Sequence, residues 1–161
     1  MTLDPRAFLD RLFAALTADG VDVNGSELDH LCYRVASAER YDALKKDLAD
    51  RGGLLSETLI GGRPIASFLL HRPMRYHDRL IAVIELPAPK PGSPYPEGFE
   101  HAEFVVGEDP RMFARRYPQL TWDLSDADKP INAVVRLRYE GFSVRFHRHA
   151  LAHVIAHLDP R

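Results

Sequence analysis

Residues 28–34 read LDHLCYR and residues 99–105 read FEHAEFV, so two similar strand-like segments each have an acid at the second position, followed directly by a histidine. Each segment precedes a helix-like stretch and then three strand-like runs. The last run of each half ends on a residue that can bind a metal, Glu85 in the first half and His147 in the second. This repeated βαβββ pattern predicts an α+β fold in which two modules form a cup-shaped mixed sheet.

The composition and the charge limit the class of protein. The chain has 161 residues, of which 45% are hydrophobic and 27% charged, as expected for one globular domain. A formal net charge of −2 gives no electrostatic basis for binding nucleic acid or an acidic membrane surface. The single cysteine, Cys32, excludes an intramolecular disulfide. With no signal-peptide pattern or long apolar run, the sequence predicts a cytoplasmic protein.

Turn and cap signals divide the predicted domain into five parts. They are an N-terminal helix with its lead-in (1–27), βαβββ module one (28–86), a proline-rich connector (87–98), βαβββ module two (99–148) and a C-terminal helix (149–161) that Pro160 would end. The three strands predicted to follow the helix of module one are 54–60, 63–70 and 80–86, and those predicted to follow the helix of module two are 119–124, 133–139 and 142–147.

Strand periodicity places several polar residues on a common face. Successive side chains of a strand alternate between faces, so residues of equal parity can meet. The residues that share the face of the two histidines are, strand by strand, His30, Cys32 and Arg34; His101 and Glu103; and Ser143, Arg145 and His147. Glu85 lies on an otherwise apolar strand, where an acid is costly to bury unless it is paired or bound to a metal. The sequence therefore indicates an enclosed, partly polar concavity.

Several short motifs resemble those of a known family. They are Asp29-His30, Leu54-Leu55-Ser56-Glu57, Gly62-Arg63-Pro64-Ile65, Ile84-Glu85-Leu86-Pro87, and Tyr95-Pro96 followed by Glu100-His101. The chain resembles the YecM family over about residues 28–147. That family belongs to the vicinal oxygen chelate superfamily, which includes glyoxalase-type lyases, epimerases, extradiol dioxygenases and antibiotic-binding resistance proteins.

The resemblance implies a set of metal ligands on the first and last strands of each module. Carried over to this chain, the ligands are His30, Glu85, His101 and His147. Many relatives have a carboxylate at the last position, so His147 departs from the pattern. The expected cofactor is one divalent ion: zinc, nickel, manganese or iron(II). The alternative role for His30 or His101, taken alone, is that of a structural histidine whose ring is hydrogen-bonded within the core.

Further residues are candidates for catalysis and for substrate binding. Glu103 can be a general base or a partner of a metal ligand, and Glu57 can be the catalytic carboxylate. A surface ion pair is the alternative for each of them. Arginine has a planar fork that suits a carboxylate or a phosphate, and the candidate substrate clamps are Arg34, Arg63 and Arg145.

These features predict a metal-dependent protein that acts on a small oxygen-rich metabolite by chelating its vicinal oxygens. Lyase or isomerase chemistry is favoured over dioxygenase chemistry, because a fourth protein ligand leaves fewer open positions on the metal. The alternative is a non-catalytic small-molecule-binding protein that uses the same cup, as in antibiotic-resistance relatives. The expected partner is a small molecule, with no nucleic acid and no membrane, and a homodimer with exchanged modules is an option in this superfamily.

Overall fold

The structure is a computed structural model that describes residues 3–92 and 94–158. The helix end predicted at Pro160 lies outside these residues. The helices are α1 (Arg6–Ala18), α2 (Ala38–Arg51), α3 (Pro110–Arg115) and α4 (Leu151–His153), which continues as a π-helical turn, Val154–Leu158. The strands are β1 (Glu27–Arg34), β2 (Gly52–Ile60), β3 (Arg63–Tyr76), β4 (Arg79–Pro87), β5 (Gly98–Val105), β6 (Val134–Tyr139) and β7 (Phe142–His147).

The seven strands form one mixed sheet in the order β2-β3-β4-β1-β5-β7-β6. Strand β1 runs parallel to β4, and β5 runs parallel to β7. The two halves of the sheet meet where β1 pairs antiparallel with β5. This arrangement confirms the predicted α+β class and its two-module sheet.

The eighth strand predicted at residues 119–124 does not form, which corrects the expected content of module two. Only one isolated bridge joins Asp123 to Arg136 of β6. The Asp123 carboxylate accepts hydrogen bonds from the backbone N–H of Ser125 at 3.0 Å and from its hydroxyl at 2.6 Å. Because this local turn competes with the sheet ladder, the chain leaves β6 after a single bridge.

Helices α1, α2 and α3 cover one face of the sheet with aromatic and aliphatic side chains. Ser37 caps α2 by accepting the N–H of Arg40 at 3.2 Å, and the apolar stripe of this helix, Tyr41, Leu44 and Leu48, is buried. From α1, Phe8 stacks on Phe99 at 5.6 Å between ring centroids, and Phe13 lies edge-on to Phe104 at 5.9 Å. The core on this face leaves the opposite, concave face of the sheet to polar side chains.

No helix in the described part of the chain has both the length and the apolar character needed to cross a membrane.

Candidate metal centre

The concave face of the sheet encloses a cavity of about 310 Å³. The helical segment after β7 covers it with Leu151, Val154 and Ile155. The polar residues that line the cavity are His30, Ser56, Thr58, Ser67, Glu85, Glu103, Asp126, Lys129, Asn132 and Arg145. A concave pocket with a few convergent polar groups is the usual form of a small-molecule site.

Three histidines from the two halves of the sheet lie close together, and His30 among them lines this cavity. The side chains of His30, His101 and His147 are 1%, 3% and 0% exposed. The ring centroid of His30 is 6.5 Å from that of His101 and 6.0 Å from that of His147. None of the three Nε2 atoms has a hydrogen-bond partner among the residues that the structure describes. Each of these atoms lies at ion-pair distance from a carboxylate of the same cluster, and a buried nitrogen without a hydrogen bond is free to bind a further group.

The carboxylate of Glu103 lies between the three Nε2 atoms. Its Oε1 atom is 3.4 Å from Nε2 of His30 and 3.2 Å from Nε2 of His101, and its Oε2 atom is 3.3 Å from Nε2 of His147. Nη1 of Arg145 donates to Oε1 at 3.3 Å. Burial alone would raise the pKa of Glu103, but the charge of His30 and the contacts with His101 and Arg145 lower it well below its usual range.

Glu85 completes the predicted trio of ligands. Its Oε1 atom is 3.7 Å from Nε2 of His101. One ligand atom from each of His30, Glu85 and His101 lies within 4.8 Å of the other two. The structure therefore brings the three residues together, and their role as metal ligands stays a prediction.

Two β-bulges place an acid beside each of the histidines of β1 and β5. Leu28 lies opposite Phe104 and His30 lies opposite Glu103, so Asp29 is an extra residue in β1. Similarly, Cys32 lies opposite His101 and Tyr33 lies opposite Phe99, so Glu100 is an extra residue in β5. A bulge of this kind redirects a side chain that regular alternation would place on the other face.

Each bulged acid contacts Nδ1 of the histidine that follows it. Oδ2 of Asp29 is 2.7 Å from Nδ1 of His30, and Oε2 of Glu100 forms the equivalent short contact with Nδ1 of His101. Sequence reasoning noted the two acid–histidine pairs but missed this role for the acids, because alternation predicts that neighbours in a strand point apart.

The charges of the acids change the pKa values of the cluster. Burial opposes a charge on His30, but the carboxylates of Glu103 and Asp29 outweigh it and raise the pKa of His30 to about 10. Burial would raise the pKa of Glu100, but the hydrogen bond and the charge of His101 lower it to about 2. The site therefore strongly attracts positive charge, which can be supplied by protons or by a metal ion.

His147 enters the cluster from the end of β7. Its Nδ1 atom contacts the carbonyl oxygen of His149, and its Nε2 atom is 3.5 Å from Oδ2 of Asp29. Ligand atoms of Asp29, His30 and His147 also lie within 4.8 Å of one another. The predicted fourth ligand thus points into the cluster.

Glu57, predicted as a catalytic carboxylate, does not lie in the cavity. Its neighbours Ser56 and Thr58 line the cavity, so strand alternation turns Glu57 toward α2. There it accepts from Tyr41 Oη at 2.7 Å and from Lys45 Nζ at 2.6 Å. The structure shows Glu57 in an ion pair with Lys45, which is the alternative role given for it above.

Of the three predicted arginine clamps, only Arg145 lines the cavity. Arg63 donates to the carbonyl oxygen of Ala88 at 2.9 Å and to Tyr95 Oη at 3.1 Å. Arg34 stacks on the ring of Tyr95 at 4.7 Å, and its Nη2 atom is 3.5 Å from Oε2 of Glu100. These two arginines hold the chain that enters β5 and do not face the cavity.

Sequence reasoning missed Asn132, which lines the cavity from the segment before β6. It has a φ of 56°, a left-handed conformation that asparagine tolerates better than most residues. Its Oδ1 atom is buried without a hydrogen-bond partner in the described residues. The only sequence signal was an asparagine after Pro130 and Ile131 in a turn-rich stretch.

The two-module mixed sheet has the fold of glyoxalase-like epimerases. A Streptomyces coelicolor methylmalonyl-CoA epimerase in complex with 2-nitronate-propionyl-CoA matches it with a TM-score of 0.55 and 10% identity. That match covers 78% of this chain and 96% of the epimerase chain, and it shows the fold alone. The family model described as "YecM protein" matches residues 1–132, and the chain therefore belongs to the YecM family.

Individual relatives agree with this assignment. The chain is 35% identical to Protein YecM of Escherichia coli over 100 residues, which are 60% of this chain and 52% of that protein. It is 36% identical to an uncharacterised Haemophilus influenzae protein over 87 residues, 53% of this chain and 45% of that protein. The chain thus matches about half the length of these relatives. A solved structure named Protein EC4020 matches with a TM-score of 0.80 and 25% identity, over 93% of this chain and 86% of that one.

Proposed function

We propose that the protein binds one divalent metal ion through His30, Glu85 and His101, with His147 as a fourth ligand. The observation that carries this proposal is the set of three buried histidine Nε2 atoms that have no hydrogen-bond partner in the described residues and surround one carboxylate. Imidazole nitrogens with a carboxylate oxygen are donors that suit zinc, nickel, manganese and iron(II).

The donor set fits the ion by its charge as well as by its chemistry. Four acids, Asp29, Glu85, Glu100 and Glu103, contact the histidine cluster. An enclosed group of carboxylates is repulsive unless positive charge offsets it. When bound, the ion would supply Lewis-acid polarisation of a substrate oxygen.

Arg145 gives the cavity its preference for an anionic substrate. Its side chain is 24% exposed, it lines the cavity, and its Nε atom is buried without a hydrogen-bond partner in the described residues. A guanidinium with a free N–H suits a carboxylate. A volume of about 310 Å³ lies at the lower end of the range for ligand pockets. The substrate we infer is a small oxygen-rich metabolite that carries a carboxylate.

Glu103 is the residue that we assign to proton transfer. It lines the cavity, and its carboxylate can accept a proton from a substrate bound there. Its contact with Arg145 fixes its position. A metal, an anion clamp and a proton acceptor are the parts that a lyase or an isomerase needs, and four protein ligands disfavour a dioxygenase.

The first test measures metal content in protein purified without a metal-affinity tag. We expect about one equivalent of a divalent ion and its loss in the His30→Ala/His101→Ala variant. The matched control is His71→Ala/His157→Ala, which removes two exposed histidines outside the cavity and should leave the metal content unchanged. A wild-type protein that stays metal-free with added zinc, nickel, manganese or iron(II) would overturn the proposal.

A second test separates an enzyme from a non-catalytic binding protein. Glu85→Gln should lose the metal, whereas Glu103→Gln should keep the metal and lose turnover of the substrate. If wild-type protein binds small carboxylates and forms no product, and Glu85→Gln binds them equally well, the cup is a binding pocket without metal chemistry.

A further inference from the structure

We infer that Asp29 and Glu100 are positioning residues that hold His30 and His101 with their Nε2 atoms directed into the cluster. This inference rests on the proposed metal centre and deepens it. It is carried by the two β-bulges, which bring each acid to the side of the sheet on which its histidine lies.

The two acid–histidine pairs occupy related positions in the two halves of the fold. β1 and β5 are antiparallel neighbours at the junction of the two halves, and each contains one extra residue directly before its histidine. In both pairs the carboxylate contacts Nδ1, and Nε2 remains without a hydrogen-bond partner in the described residues. Two independent strands therefore reach the same local geometry by the same irregularity.

The chemical consequence concerns the position of the imidazole proton. A carboxylate beside Nδ1 accepts a hydrogen bond from it, so the proton of the neutral ring is held at Nδ1. The lone pair of Nε2 is then available to a metal ion, and the negative charge of the acid strengthens the nitrogen as a ligand. Removing either charge should loosen the ring and weaken metal binding.

His147 provides an internal comparison because, within residues 3–92 and 94–158, no carboxylate contacts its Nδ1 atom. That atom contacts the backbone carbonyl oxygen of His149, which no side-chain substitution removes. The structure therefore assigns the orientation of the His30 and His101 rings to acidic side chains. The orientation of the His147 ring is assigned to a backbone carbonyl group.

The test uses Asp29→Asn and Glu100→Gln, which keep the size of each side chain and remove its charge. Zinc affinity is measured by competition with a chelator in the full-length protein. We expect each variant to bind zinc about 10- to 100-fold more weakly, the usual effect of removing such a partner. Glu97→Gln is the matched control, because Glu97 contacts Arg40 and Tyr33 away from the cavity, and its zinc affinity should equal that of the wild type.

A second readout distinguishes positioning from a purely structural role. Long-range 1H–15N spectra of the histidine rings should show a proton on Nδ1 of His30 and His101 in the wild type. The ring signal of His30 should change in Asp29→Asn, and that of His101 in Glu100→Gln. Wild-type rings without a proton on Nδ1, or unchanged zinc affinity in both variants, would overturn the inference.

The positioning role and the metal centre can fail separately, and the two failures give different experimental results. If His30→Ala abolishes zinc binding and both charge variants bind zinc like the wild type, the metal centre stands and the positioning role is wrong. If the wild type binds no metal, the proposed function fails, and the ring spectra still decide whether the two acids fix the protons of the histidines.

Discussion

The backbone N–H of Leu151 donates to Oδ2 of Asp29 at 2.9 Å, across a separation of 122 residues. The same oxygen contacts Nδ1 of His30 at 2.7 Å. Leu151 begins the helical segment that covers the cavity, and its side chain is part of the lining. One carboxylate oxygen thus connects a proposed metal ligand to the cover of the site.

This connection predicts that Asp29→Ala loosens the cover of the cavity. The substitution leaves the buried N–H of Leu151 without an acceptor, which should lower the free energy of unfolding by about 1–3 kcal/mol. Hydrogen exchange of the Leu151 amide should become faster. Asp29→Asn retains an oxygen acceptor and should keep the amide protected, so equal exchange in both variants would contradict this account.

Arg145 is predicted to favour anions and to oppose cations in the cavity. Arg145→Gln should weaken the binding of a small carboxylate such as malonate by about 10- to 100-fold, because a charge-assisted hydrogen bond is lost. It should also strengthen zinc binding, since a positive charge beside Glu103 is removed. Calorimetric titrations measure both affinities. Arg63→Gln, which changes an arginine outside the cavity, should alter neither, and a loss of zinc affinity in Arg145→Gln would refute the assignment.

Glu57 is predicted to be irrelevant to metal binding despite its place in a family motif. Its ion pair with Lys45 is partly exposed, at 29% for Glu57 and 34% for Lys45. Glu57→Gln should therefore lower the free energy of unfolding by no more than about 1 kcal/mol. Its metal content should match that of the wild type. A metal-free Glu57→Gln protein with an unchanged melting temperature would show that the residue acts at the site after all.

Asp123 should make part of the stability depend on pH. Its hydrogen bonds with Ser125, supported by Arg138 and Arg136, lower the pKa of Asp123 below its ordinary value of 3.8. Because the pKa is lower in the folded state, this stabilisation is fully present above the unfolded value and is lost as the pH falls through the folded value. Asp123→Asn should therefore be less stable than the wild type by about 1 kcal/mol at pH 7, and the difference should shrink below about pH 4. Denaturant unfolding of both proteins at pH 7 and below about pH 4 measures this difference in the free energy of unfolding. A difference that does not change with pH would contradict the assigned cause.

Strand alternation predicted the face of the sheet that carries His30, His101, Glu103 and His147, because these residues follow the regular period of two. The same rule failed for Asp29 and Glu100. A β-bulge depends on the pairing of two distant strands, and nothing within seven residues of one strand specifies it. The bulges are therefore a property of the assembled sheet.

Two further differences between the predicted and the observed strands have local causes. The segment 119–124 has the apolar content of a strand, but the turn at Asp123 and Ser125 competes for its backbone groups. Strand β3 extends to Tyr76, beyond the predicted end at residue 70, because it resumes pairing at Met74 after an irregularity that follows Leu69. In each case the outcome depends on a contact that sequence periodicity does not encode.

In the part of the chain that the structure describes, the two halves of the sheet share one strand pair, β1 with β5. His30 and Glu85 belong to the first half, and His101 and His147 belong to the second. An ion held by these four residues would act as a cross-link between the halves, closing a loop of chain without a covalent bond. The folded protein would then gain stability in proportion to the logarithm of the free ion concentration once binding is strong. Its melting temperature would report how much of that metal its surroundings supply.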